Sequence, residues 1–166
     1  MKWPVLWLTA AGLCLVLSGV FSDPADRLIW NRTGSAPTGL YWLSDGPFTP
    51  GRWVVVSARS DQANWAEAHG FVGQDWPLLK QVAGISGDEI CRIAQAIVIN
   101  GEYAGIAHTA DSMGRNLPVW QGCIRLPDHM FFLMNAHPDS LDGRYFGPTH
   151  RQDLDGVAVP LFTINH

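Results

Sequence analysis

A mainly β domain of antiparallel strands with one short helix, preceded by a single N-terminal transmembrane helix, is the architecture this sequence predicts. Three observations predict it. No charged residue occurs from Trp3 to Ser22. Downstream, short β-branched and aromatic runs recur, bounded by glycine, proline or aspartate. Asn100-Gly101 separates two apolar runs, a strong short-range hairpin signal.

The uncharged run is long enough to cross a bilayer, since about 20 helical residues span about 30 Å. Lys2 and the amino terminus flank it on one side, Asp23 and Asp26 on the other. The positive-inside tendency then puts the N-terminus in the cytoplasm and exports the body. Ser18 to Ser22 offers a poor small-x-small cleavage site, which favours a retained anchor over a cleaved leader. A buried core helix would show a polar face, and this run has none. The expected organisation is an anchor over 1–22, a linker over 23–28 and an exported domain over 29–166.

The elements follow in order. LYWLSD reads as a strand ended by Asp45-Gly46-Pro47, and Pro50-Gly51 turns the chain into RWVVVSA, a β-branched run typical of a buried strand. Gln62 to Gly70 has helical composition, with Gly70 as its stop. WPLLKQVA reads as a strand closing on the turn residues GISGD, and IAQAIVINGEYAGIA as the hairpin. Residues 106–122 read as loop, IRLPDHMFFLMN as one strand, DSLDGRYFGP as a tight irregular segment and VAVPLFTI as the last strand.

Composition excludes some chemistry. A net charge of -4 without a basic run argues against a nucleic-acid partner. No C-x-x-C pair or Cys/His cluster has metal-ligand spacing, so neither a structural zinc nor any other cofactor is expected. Cys14 lies in the anchor. Cys91 and Cys123 either form one disulfide in an oxidising compartment, contributing about 3.5–4 kcal/mol by loop entropy, or are two separate buried thiols.

The chain has two lysines, Lys2 and Lys80. Alternation along a strand puts Lys80 on one face with Leu78 and Val82. Its stem could simply pack while its ammonium reaches water. Alternatively, desolvation lowers its pKa until the neutral amine can take a proton from a serine hydroxyl. Ser35 is the best-placed serine. Gly34 lets the backbone bend closely, and Pro37 and Gly39 hold the following turn. The Thr33 hydroxyl and the Ser35 amide are candidate donors for an oxyanion hole.

Three ordered boxes carry a resemblance. Asn31, Thr33, Ser35, Pro37, Gly39 and Tyr41 fit the pattern N-x-T-x-S-x-P-x-G-x-Y; LLKQVAGISGDEI carries Lys80, Gly84, Gly87 and Asp88; SLDGRYFG carries Ser140, Asp142, Arg144 and Gly147. Together they resemble TraF-type conjugative-transfer peptidases of the type I signal peptidase family, which use a serine–lysine dyad. The match runs from about Ile29 to Pro148. It departs from the family where Gly-Asp-Asn is usual and Asn135-Ala136-His137 stands here, where Asp-Ser-Arg is Asp142-Gly143-Arg144, and where Gly-Asp is Gly51-Arg52.

The resemblance implies a compact signal peptidase-like catalytic domain in the periplasm, on a single-pass inner-membrane protein. It implies Ser35 as nucleophile, neutral Lys80 as general base and then acid, and oxyanion stabilisation by the Ser35 amide and Thr33 hydroxyl. It also implies that Ser140 orients the Lys80 amine and that Asp142 and Arg144 pair to fix the closing segment. A solvated surface pair, worth under about 1 kcal/mol, is the other reading of those two. The implied substrate is an exported precursor, a pilin-like subunit of a conjugation apparatus, released by water or by its own amino terminus as a cyclic product. Competing readings are a non-catalytic anchored module of the secretion machinery, a general signal peptidase, a self-cleaving repressor, and a Ser-His-Asp scheme through His137 that lacks a G-x-S-x-G elbow.

Overall fold

The computed structural model describes residues 27–164 and the helical positions Trp3, Trp7, Thr9 and 12–14. The expected anchor and linker lie almost wholly outside the described residues, among which no helix is long and apolar enough to cross a membrane.

The first half of the domain runs β1 (Leu28–Asn31), β2 (Thr38–Ser44), β3 (Trp53–Val56), helix α1 (Asp61–Ala68) and β4 (Leu78–Gly84). There follow β5 (Glu89–Ile93), β6 (Ala96–Ile99), β7 (Glu102–Ile106), β8 (Gly122–Arg125) and β9 (Met130–Leu133). Helix α2 (Gly143–Phe146), β10 (Thr149–His150), a 3-10 turn over Arg151–Asp153 and β11 (Leu154–Ile164) complete the described chain. Two antiparallel sheets result among the described residues. The larger has the order β1-β2-β11-β3-β4-β9-β10, the smaller β7-β6-β5-β8.

Local chemistry accounts for the turns and the longer helix. Asn100 and Gly101 both take positive φ, 52° and 83°, as a two-residue hairpin loop requires. Ser60 caps α1 by accepting from the Ala63 amide, and Gly70 leaves it at φ +70°.

Apolar side chains on facing strands then fill the interior. Val54, Val56, Leu78, Val82 and Leu133 form one buried cluster. Ile90, Ile97, Leu126, Phe132 and Tyr145 form another, which holds the small sheet against β9 and α2. Each such side chain contributes about 1.5–3 kcal/mol. Within the small sheet, Cys91 and Cys123 are register partners joined by a disulfide. Next to Cys91, the buried Arg92 Nη1 donates to the Arg144 carbonyl at 2.8 Å and so ties this sheet to α2.

The structure corrects two sequence expectations and adds two strands where the sequence reading assigned no element. IRLPDHMFFLMN is not one strand. Pro127 accepts from the Met130 amide and His129 takes φ 64°, so β8 joins the small sheet and β9 the large one. The EICRI segment forms β5 although it alternates weakly, because β6 and β8 cover both its edges. LIWN, which sequence pattern assigned to no element, pairs with β2 as β1. The segment after Ser140 contains α2, capped by Asp142 accepting from the Arg144 amide, so the domain has two short helices rather than one.

Candidate active site

The serine loop is assembled by one asparagine. Asn31, at the end of β1 and buried, turns its Nδ2 toward the carbonyls of Thr33, Ala36 and Pro37 at 3.0–3.1 Å. Its Oδ1 accepts the Thr33 amide at 3.1 Å and the Thr33 hydroxyl at 2.7 Å. The Tyr41 hydroxyl, rising from β2, donates to the Pro37 carbonyl at 2.6 Å. Ser35 thus sits on a loop pinned from both flanking strands. The Thr33 hydroxyl gives its single proton to Asn31, so the expected oxyanion role would require it to rotate away from that acceptor.

Lys80 lies on β4 in register with Val54 of β3. It is buried, 5% exposed, and its Nζ donates to the equally buried Ser140 Oγ at 3.1 Å. Burial pulls its pKa from 10.5 down to about 8. The Asp142 carboxylate opposes that shift and the Arg144 guanidinium adds to it. Lys80 and Ser35 line one cleft of about 270 Å³, walled by Val72, Pro77, Leu78 and Leu79. On its other side Ser35 borders a second open groove, between Thr38 and Ile164. A chain lying across both would therefore pass over Ser35.

Asp142 and Arg144 are 2% exposed each. Their forked contact, Arg144 Nε to Asp142 Oδ1 at 2.9 Å and Nη2 to Oδ2 at 2.8 Å, is a buried ion pair. The surface-pair reading does not survive this geometry. Arg144 also donates to the carbonyls of Asn135, His137 and Pro138, closing the segment that carries Ser140. The family departure at Gly143 has a packing cause. A Cβ there would meet the Leu133 carbonyl at 2.6 Å and the Phe132 ring at 2.8 Å, so no serine fits.

His137 lines the same cleft, but its Nδ1 accepts from the Asp139 backbone amide at 3.2 Å. In a Ser-His-Asp arrangement that nitrogen donates to a carboxylate instead. Sequence reasoning quoted Asn31 without giving it a role, and treated Asn135 as a loss relative to the family. Both are buried here and bonded to the serine loop. Local pattern offered no signal for the second, whose partners lie 54 to 100 residues away.

Residues 1–162 match the family described as signal peptidase, peptidase S26. The chain belongs to this family. Within it, a plasmid transfer protein TraF of Escherichia coli is 34% identical over 165 residues, covering 92% of this chain and 91% of its own. A conjugal transfer protein TraF of Agrobacterium fabrum is 36% identical over 147 residues, covering 81% and 82%. A signal peptidase I crystal structure from Enterococcus faecalis shares 18% identity over 69% of this chain and 98% of that one, at a TM-score of 0.39. Among peptidase S26 members, the chain is thus a TraF-type, signal peptidase-like protein.

Proposed function

We propose that this S26 protein is a membrane-anchored serine endopeptidase. It processes an exported precursor, the pilin-like subunit of a conjugative transfer system, by Ser35–Lys80 acyl transfer. The observation that carries the reading is a buried amine with a depressed pKa, held by Ser140, in the cleft that Ser35 lines. Neutral Lys80 takes the Ser35 proton as the hydroxyl attacks the scissile carbonyl, then returns it to the leaving amine. Water, or the substrate's own amino terminus, resolves the ester. The relatives' printed names, plasmid and conjugal transfer proteins, support the choice of substrate class.

Placement at the inner membrane, with the domain in the periplasm, rests on two features. One is the uncharged run from Trp3 to Ser22. The other is an exposed apolar face on β1, β2 and β11, where Leu28 pairs with Trp42, and Trp30 and Phe162 flank Leu40.

Ser35→Ala should leave the pilin-type subunit encoded alongside this chain as a heavier precursor, read by intact mass from cells. Identical masses in wild type and variant would sink the peptidase reading for that substrate. A wild-type product lacking one further water separates cyclisation from hydrolysis. The pH–rate profile supplies a second expected outcome. Lys80 must be neutral to act, so the rate should rise with pH through about 8. A limb that rises only near 10.5 would mean that water reaches the amine.

A further inference from the structure

Asn135 stands in the segment after β9, and it is 1% exposed. Its Nδ2 donates to the Ser35 carbonyl at 2.9 Å and to the Leu79 carbonyl at 3.2 Å. Its Oδ1 accepts the Gln81 amide at 2.9 Å. Leu79 and Gln81 are the two chain neighbours of Lys80. One amide therefore grips the backbone on both sides of the candidate base and, with its other proton, the backbone of the candidate nucleophile. All the side chain's polar groups are engaged, and the opposing partners fix which end is oxygen.

The amide is itself held. The Asn135 backbone amide donates to Asp142 Oδ2 at 3.0 Å, and its carbonyl accepts from Arg144 Nη2 at 3.0 Å. The buried ion pair is thus not in contact with Ser35, yet reaches it through one residue. That gives the pair a second task besides closing its own segment.

We infer that Asn135 is a positioning residue that sets the relative placement of Ser35 and Lys80, with the Asp142–Arg144 pair as its mount. The inference rests on the dyad reading above. Without Asn135, the serine loop keeps Asn31 and Tyr41, which bind it only to itself and to its own flanking strands. The hydrogen-bonded link across to β4 is lost, and only the apolar packing of Ala36 with Leu79 remains. Lys80 would keep its burial and Ser140, so its readiness to lose a proton would be unchanged while its alignment with Ser35 would not.

The test uses the full-length chain and a precursor-derived peptide substrate, with Asn135→Ala and the isosteric Asn135→Asp. Misplacing a reacting group by about 1 Å costs about 10²-fold in rate. Asn135→Ala should therefore lower kcat by about 10²-fold with a much smaller change in KM, since Asn135 itself lines neither opening. Its pH–rate midpoint should stay at about 8. Hydrogen exchange should quicken at residues 33–37 and at the Gln81 amide, which loses its acceptor, while the rest of β4 stays protected. Asn135→Asp keeps the acceptor for Gln81 but aims a carboxylate oxygen at two carbonyls, so it should lose at least as much turnover as the alanine variant despite equal volume.

Turnover within about threefold of wild type in the aspartate variant would overturn the inference. So would a loss in the alanine variant accompanied by a midpoint near that of free lysine, which would make Asn135 only a plug against water. Failure of the dyad reading itself gives a different result, namely wild-type turnover in Ser35→Ala.

Discussion

Lys80→Met should abolish turnover and at the same time raise the melting temperature at pH 7. The loss follows from the proposed mechanism, in which Lys80 takes the Ser35 proton, and single dyad or triad deletions typically cost on the order of 10⁴–10⁶ in kcat. The gain follows from desolvation. At neutral pH Lys80 is charged in both folded and unfolded chains, and its displacement from 10.5 to about 8 corresponds to about 3 kcal/mol of destabilisation. Methionine fills similar volume without a charge. It leaves the buried Ser140 hydroxyl without its donor, which returns about 1–2 kcal/mol. The net expectation is about 1–2 kcal/mol of stabilisation, or a rise of about 2–8 °C.

The sign of the pH dependence makes this prediction sharper. Between about 8 and 10.5 the unfolded chain still binds the lysine proton and the folded chain does not. Wild-type stability therefore rises with pH across that window, while the methionine variant lacks the contribution. The melting temperatures should converge as pH increases from 7 to 10. A difference that is constant with pH, or a variant less stable than wild type at pH 7, would show that Lys80 is not a desolvated cation. The trade is the usual one between activity and stability at a site holding an uncomfortable group.

Asp142→Ala should act in the opposite direction, with a loss of about 3–5 kcal/mol. Removing the carboxylate strands the Arg144 guanidinium, 2% exposed, with carbonyls alone for partners. It also deletes the cap of α2 and the acceptor for the Asn135 amide. Asp142→Asn separates charge from shape, because it keeps an oxygen acceptor for the cap. Asp142 is the charge that holds the Lys80 pKa up. Its neutralisation should move the rising limb of the pH–rate profile below about 8 while kcat falls. Denaturant melts give the stability, and the profile gives the electrostatics. A cost under about 1 kcal/mol in the alanine variant would restore the surface-pair reading of these residues.

These two residues also show where sequence reasoning reached its limit. Lys80 was legible because its apolar neighbours alternate along the strand, so burial of one face could be read locally. Asp142 and Arg144 were legible only through the resemblance, which implied their pairing; on their own, an acid and a base two residues apart look alike whether buried or wet. The short helix α2 was missed for a related reason. Four residues carry no measurable helical period, and α2 exists because Asp142 caps it while Gly143 lets it pack on β9. The division of IRLPDHMFFLMN between two sheets had a local signal, since Pro127-Asp128 interrupts the run between a charged half and an apolar one, but which sheet each half joins was hidden.

By itself the sequence determined the strand-rich class, the Asn100-Gly101 hairpin, the sharp bend around Ser35 and the apolar setting of Lys80. Each depends on backbone preferences or alternation within about ten residues, which a chain carries wherever it folds. Only the tertiary structure decided that Asn31 ties the serine loop, that the Thr33 proton is committed to it, that Cys91 meets Cys123, and that Asn135 reaches Ser35 across 100 residues of chain. Hydrogen-bond partners far apart in sequence are chosen by the packing of whole sheets, and a single sequence records no periodicity for that choice.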